Sequence, residues 1–465
     1  MRPTDPFEEA YGAGVLEELE VVPPPSPTGP PRAGIAPAEP FALTGCVIAG
    51  EQAFDPGYVV VTGPVISDVG AGRPPEGVRA LPTEGVLLPG LIDLHGHPEY
   101  NVFAAWEPPK LYRNRYLWRD SDEYRQIVKV PWIELTEERP DHPSLLRTLT
   151  RYAEARALVG GVTAIQGASA KYRRKEEALV RNVDLPIFGQ HKARSMIDLG
   201  RAAPDDRRRL REQIDQGKVT ALYVHLAEGV DERSRKEFDE LVEANLLTGA
   251  TAIIHGTALT REELGQVKDA GAKLVWSPQS NLRLYGQTTR VADALQLGLT
   301  VGLGADWLPS GSPSLLAELK VARNALAAQG MVVEPKRLVQ MVTRDAAAIA
   351  GLADSLGALA AGRPADVLVL ERRHADPWEN VVEALPGWVE LVMIGGDMAY
   401  GRATWITDLA AEQGRANLEP LLAWGKPMLL DTSYSVRAAP EPAPRLAQLR
   451  QELVGRYPQV GPIFA

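Results

Sequence analysis

Six residues of this chain have types suited to holding a metal ion or moving a proton: His95, His97, His225, Glu228, His255 and Asp306. His95 and His97 lie in LIDLHGHPEY. A strand period of two turns both imidazoles to one face, close enough to share one metal ion. His225 closes TALYVHLAEG, His255 closes TAIIHG and Asp306 closes TVGLGADW. Titratable groups at strand ends are costly to bury without a partner or a metal. A single strand-end histidine is commonly structural, but His or Asp at four such ends is hard to explain by packing alone. Glu228, three residues after His225, reads either as a proton carrier or as a carboxylate favoured by a helix N-terminus.

The elements around these residues alternate. VLLPGLIDLHGH, VTAIQG, LPIFGQ, TALYVHLAEG, TAIIHG, KLVWSPQSN and TVGLGADW read as strands. HPSLLRTLTRYAEARALVGG, VDERSRKEFDELVEANLL, EELGQVKDAG, TRVADALQLG and SLLAELKVARNALAAQ read as helices. Thr260 with Glu263 forms a capping-box signature, and Ser312 with Pro313 suits a helix start. This order implies parallel βαβ units. The fold class expected is α/β, a (β/α)8 TIM-like barrel with a small β-sandwich domain built from both chain ends. One barrel strand is missing from the pattern. It should lie between Val162 and Val219, and KYRRKEEALVRNVD could hide it. The expected division is a Pro-rich extension over 1–40, a composite β-domain from 41–88 and 356–410, a barrel over 89–355, and a helical and coil tail over 411–465. Barrel enzymes carry their chemistry at the C-terminal ends of the strands, where these six residues fall.

With 465 residues the chain suits a large barrel and a smaller companion. A formal charge of −10 argues against a general nucleic-acid binder. Cys46 is the single cysteine, which excludes an internal disulfide and a thiolate zinc cluster. The start, MRPTDPFEEAYG, has no signal-peptide pattern, and no stretch is long and apolar enough to span a bilayer. The expectation is a cytoplasmic protein acting on a small molecule, with no nucleic-acid or membrane partner, and with homo-oligomer formation left open.

The motifs VLLPGLIDLHGH, GVTAIQG, HLAEG, IHG, SPQSNLRLYG and GLGADW resemble the amidohydrolase superfamily. The resemblance is nearest to the branch holding the cytosine, guanine and S-adenosylhomocysteine deaminases and the triazine chlorohydrolases, and it runs from about residue 41 to 405. It implies one divalent metal ion, Zn²⁺ first and Fe²⁺ or Mn²⁺ as alternatives, held by His95, His97, His225 and Asp306. Such an ion lowers the pKa of bound water to about 7 and makes hydroxide available for attack. The resemblance makes Glu228 the acid that protonates the substrate nitrogen and then the leaving amine. It makes His255 the group that polarises the atom under attack, and gives Asp306 a second role in taking the proton of the attacking water.

The chain departs from that pattern after HxH, where the sequence is unusually aromatic and basic. Glu99, Tyr100, Asn101, Trp106 and Arg115 are expected at the substrate, with Tyr112, Tyr116 and Trp118 beside them. The alternative for each is a packed subdomain that uses Tyr and Trp as core. Asn281 is expected either at the pocket or in a turn. Ala305 stands where the family usually has threonine. Lys192 reads as a solvated lysine, or as the bridging lysine of a two-metal site. The leading expectation is deamination of a nitrogen heterocycle. Amide or cyclic-amide hydrolysis of an anionic substrate met by Arg115 or Lys110 is the second, and a non-catalytic ligand-binding barrel the third.

Overall fold

The computed structural model describes residues 39–167, 178–184, 188, 193–410, 417–433 and 444–464. Four strands precede the barrel: β1 (Phe41–Ala49), β2 (Gln52–Thr62), β3 (Val65–Ala71) and β4 (Arg79–Pro89). Eight short parallel strands follow: β5 (Leu91–Asp93), β6 (Val162–Ile165), β7 (Arg181–Asn182), β8 (Ala193–Met196), β9 (Ala221–Leu226), β10 (Thr251–His255), β11 (Lys273–Trp276) and β12 (Val301–Leu303). They pair as a three-stranded sheet, β5-β6-β7, and a five-stranded sheet, β8 to β12. The first and eighth strands meet where the Leu94 amide donates to Leu303 O (3.2 Å) and the Asp306 amide to His95 O (2.7 Å). Gly304 permits that approach, because a Cβ there would collide with His95. Every residue of β9, β10 and β12 is buried, as strands walled on both faces require.

The region between Val162 and Val219 contains two barrel strands, Arg181–Asn182 and Ala193–Met196. The first lies inside KYRRKEEALVRNVD, where the missing strand was sought. Most of LPIFGQ lies outside the described residues. At two and four residues, with Arg, Asn and Ser among them, these strands carry no apolar run to signal them.

The closing strands are β13 (Val367–Leu370), β14 (Val389–Ile394), β15 (Asp397–Arg402), β16 (Leu418–Ala423) and β17 (Lys426–Asp431). With β1 to β4 they form one nine-stranded sheet, ordered β16-β17-β15-β14-β13-β4-β1-β2-β3. The join between the chain ends is β13 against β4, with Leu368 opposite Leu88. One core of this sheet buries Leu43, Val59, Leu87, Val367 and Met393. β4 passes through Gly90 directly into β5, so sheet and barrel share one continuous chain.

Two expectations need correction. The tail from Ala411, expected as helix and coil, supplies the β16–β17 hairpin as well as a helix over Leu446–Val454. Its hairpin turn, Trp424 and Gly425, places both residues at positive φ, and a Trp-Gly pair is not among the usual turn signals. KLVWSPQSN is also not one strand: β11 stops at Trp276, and Pro278 opens a helix to Tyr285. No helix among the described residues is long and apolar enough to cross a membrane.

Candidate metal centre and active site

Three imidazoles converge at the C-terminal mouth of the barrel. His95 Nε2 lies 3.1 Å from His97 Nε2 and 3.0 Å from His225 Nε2. Asp306 Oδ1 lies 3.5 Å from the Nε2 atoms of both His95 and His97. All four residues are buried. A tetrahedral ion with ligands at 2.0–2.1 Å would separate neighbouring donor atoms by about 3.3 Å, and these separations bracket that value. His95, His97 and His225 offer one ligand atom each within a shared sphere, as do His95, His255 and Asp306. Three nitrogens and one carboxylate oxygen are a donor set for Zn²⁺, Fe²⁺ or Mn²⁺.

The electrostatics fit a cation. Burial, with neighbouring imidazole charge as the next cause, holds His95 and His225 well below the usual histidine range. Burial likewise lowers His97 to about 3. The imidazoles are therefore neutral and keep lone pairs for a metal. Burial pushes the Asp306 carboxyl well above its usual range, against donation from Ser280 and the Trp307 amide. A positive ion among these groups would reverse that shift and offset the cost of burying the carboxylate.

The backbone sets the aim of these side chains. His255 (φ 68°) and Asp306 (φ 61°) lie in the left-handed region, as does Ala227 (φ 53°) just past β9. Non-glycine residues hold that conformation only where the surroundings enforce it, and such sites cluster where function needs them. Behind the metal-type residues, Ser277 Oγ lies 2.9 Å from His95 Nδ1. Asp93 Oδ1 accepts from the amides of His95 (3.2 Å) and Ala305 (3.1 Å), which fixes the first and eighth strand ends together. These partners leave His95 Nε2 to face the centre.

A second group sits beside the first. Glu228 Oε2 lies 3.6 Å from His255 Nε2. The Tyr285 hydroxyl donates to Glu228 Oε1 at 2.6 Å, and the Trp118 indole N–H donates to the Tyr285 oxygen at 2.8 Å. Burial raises the Glu228 pKa, opposed by Arg115, the Tyr285 hydrogen bond and Arg119. Burial lowers His255 to about 3, with Arg115 adding to the effect. Asn281 Nδ2 lies 3.1 Å from His255 Nδ1, while Asn281 Oδ1 accepts from Thr288 Oγ1 (3.3 Å). With the amide in that orientation His255 Nδ1 accepts, so the ring proton sits on Nε2, facing Glu228. Asn281 is thus neither in a turn nor open to solvent. It is buried in a helix and bonded to His255.

The aromatic segment after HxH is packed core. Tyr100 stacks on Trp132 (4.7 Å between centroids), and Trp307 meets Tyr100, Trp118 and Tyr124 at 5.8, 5.6 and 6.1 Å. Trp106 packs on Trp118 and Tyr112. Asn101 Oδ1 accepts the Leu308 amide (2.8 Å), and the Trp106 amide donates to Pro309 O (2.7 Å). The segment therefore clamps the loop that follows Asp306. Glu99 is fully buried in the short turn Pro98–Tyr100. Arg115 is buried, and its Nη1 donates to Glu237 Oε2 (3.0 Å) and to His225 O (3.4 Å). Committed in this way, it does not offer a free cation to an anionic substrate, and that support for the amide-hydrolysis expectation falls. Lys192 lies outside the described residues. Tyr285 escaped the sequence reading, because SNLRLYG gives no sign that its last aromatic turns toward Glu228.

Residues 220–399 match the model of the amidohydrolase family. A 5-methylthioadenosine/S-adenosylhomocysteine deaminase of Teredinibacter turnerae is 31% identical over 177 residues, covering 35% of this chain and 40% of the relative. The chain thus aligns with less than half the length of that relative. A protein of the same name from Desulfitobacterium hafniense is 24% identical over 357 residues, covering 69% of this chain and 82% of its own. Among solved structures, a zinc-bound adenosine deaminase of Xanthomonas campestris superposes with a TM-score of 0.67 at 16% identity, covering 91% of this chain and 99% of that one. The last likeness is one of fold: a barrel with a β-rich companion. The stretch matched to the amidohydrolase family, residues 220–399, is the part of the chain that carries His225, Glu228, His255 and Asp306 at the barrel mouth.

Proposed function

We propose that this chain is a hydrolase that replaces an amino group on a flat nitrogen heterocycle with oxygen, consuming water and releasing ammonia. The observation that carries the reading is one juxtaposition. A buried carboxyl, Glu228, and a neutral imidazole, His255, face each other at 3.6 Å beside a cluster of three histidines and an aspartate. The deaminases named among the relatives support the substrate class.

In this reading His95, His97, His225 and Asp306 hold one divalent ion, Zn²⁺ first. When bound, that ion supplies a charge that makes water a nucleophile near neutral pH. The remaining work belongs to the chain. Glu228, whose burial favours its protonated form, gives its proton to the heterocycle nitrogen, then takes up the hydroxyl proton of the addition product and delivers it to the departing amine, and the proton held by Asp306 restores Glu228 for the next cycle. His255, carrying its proton on Nε2, donates toward the atom that gains negative charge. Asp306 accepts the proton of the attacking water. The enclosing aromatic wall of Trp118, Trp307 and Tyr100 keeps bulk water out and strengthens these interactions.

The test is ammonia release by the Zn²⁺-loaded protein across aminopurines, their nucleosides, aminopyrimidines and aminotriazines, with Glu228→Gln as control. Release from at least one substrate, lost in the control, is expected. No release from any member, by protein shown to carry metal, would overturn the deaminase reading.

A further inference from the structure

Glu228 has two oxygens, and the structure distinguishes them. Oε2 faces His255. Oε1 accepts from Tyr285, which in turn accepts from Trp118. An indole N–H can only donate, whereas a phenol has one proton to give and lone pairs to receive with. Tyr285 is 3% exposed, so its hydroxyl is shielded from bulk solvent. Among the described residues, Glu228 Oε1 is the acceptor recorded for that proton, and a buried donor left unpaired is costly. The chain of donation therefore runs one way, from Trp118 through Tyr285 to Oε1.

We infer that Trp118 and Tyr285 are positioning residues that hold Glu228 Oε1 as an acceptor, so that whenever Glu228 is protonated the proton sits on Oε2, the oxygen turned to His255 and the metal-type cluster. This deepens the proposed function and rests on Glu228 being its proton carrier. The consequence is a carboxyl with one working oxygen. Without the relay the proton could occupy either oxygen, and on Oε1 it would point away from the reacting atoms. The two positioning residues come from different parts of the chain: Trp118 from the short helix Arg115–Arg119, and Tyr285 from the last turn of the helix after β11. The aromatic segment thus reaches the Glu228 carboxyl through the Tyr285 hydroxyl.

Infrared difference spectroscopy on the metal-loaded protein tests this without turnover. The C=O stretch of protonated Glu228 is identified as the band lost in Glu228→Gln, at the lowest pH at which the fold survives. A carbonyl oxygen that accepts a hydrogen bond absorbs at lower frequency. Tyr285→Phe should therefore move the band upward, and Trp118→Phe should move it the same way by less, since it only weakens the donor. A band unmoved or lowered in Tyr285→Phe would overturn the assignment, as would the absence of any Glu228 band. Trp118→Phe decides the sign if Tyr285→Phe fails to fold. The expected shifts in a protein that releases no ammonia would sink the deaminase reading and leave the relay standing. In an active enzyme, Tyr285→Phe should lower kcat about tenfold with KM nearly unchanged, the size expected for weakened proton transfer.

Discussion

Arg115→Met should destabilise this protein more than any other single charge removal near the site. Arg115 and Glu237 are 1% and 6% exposed and 3.0 Å apart. Glu237 also accepts the Ala227 amide (2.8 Å) and the Tyr116 hydroxyl (3.0 Å). Removing the arginine strands a buried carboxylate and frees the His225 carbonyl. Losing one partner of a buried pair costs about 3–5 kcal/mol. The exposed pair Arg139–Glu137, 43% and 56% exposed, is the contrast, and Arg139→Ala should leave the urea midpoint nearly unchanged. Urea unfolding followed by tryptophan fluorescence reads both. Burial already raises Glu237 to about 7 with Arg115 opposing. A raised carboxyl loses stability as pH climbs from its ordinary value through the raised one, so the Arg115→Met deficit should shrink toward pH 5 as the stranded group protonates. Arg115→Met with Glu237→Leu should recover most of the loss. A single mutant costing under about 1 kcal/mol at pH 8 would refute the reasoning.

Three further outcomes follow from the same geometry. Glu228→Gln should keep metal and fold but lose turnover by about 10²–10⁴-fold, the range for a positioned acid or base, read as ammonia release alongside metal content. Burial raises Glu318 to about 8, against donation from Ser312 and the Gln279 amide. Its folded pKa exceeds its unfolded one, so its contribution is full below about pH 4.5 and falls as pH rises to about 8. Glu318→Gln should flatten the decline of the unfolding midpoint across that window. Thermal melting with and without a chelator should show the metal-depleted protein unfolding at lower temperature, since an ion bound only by the folded state stabilises it.

Much of the site was legible because its residues end strands whose apolar runs are long enough to see. ALYVHL and TAIIH are buried throughout, so the polar side chain that ends each apolar run marks the barrel mouth. The Thr260–Glu263 capping box was legible for the same reason: its chemistry is local. The helix after β12 starts two residues later than Ser312 suggested, because Ser314 caps it while Ser312 bonds the buried Glu318. What the sequence concealed is long-range. Tyr285 and Glu228 are 57 residues apart, and Arg115 and Glu237 are 122 apart. No local period records such pairs. The aromatic segment left two roles open for a related reason. Tyr and Trp serve equally as pocket wall and as core, and only the stack around Trp307 shows that they pack on one another.

The central claim is one metal site built from His95, His97, His225 and Asp306. Its most direct test is metal per chain, by elemental analysis of protein purified without added metal and again after loading with Zn²⁺. One equivalent is expected, lost in Asp306→Ala and in His97→Ala. Two equivalents would contradict the single site and bring Lys192 forward as a bridging residue. None, even after loading, would contradict the account outright.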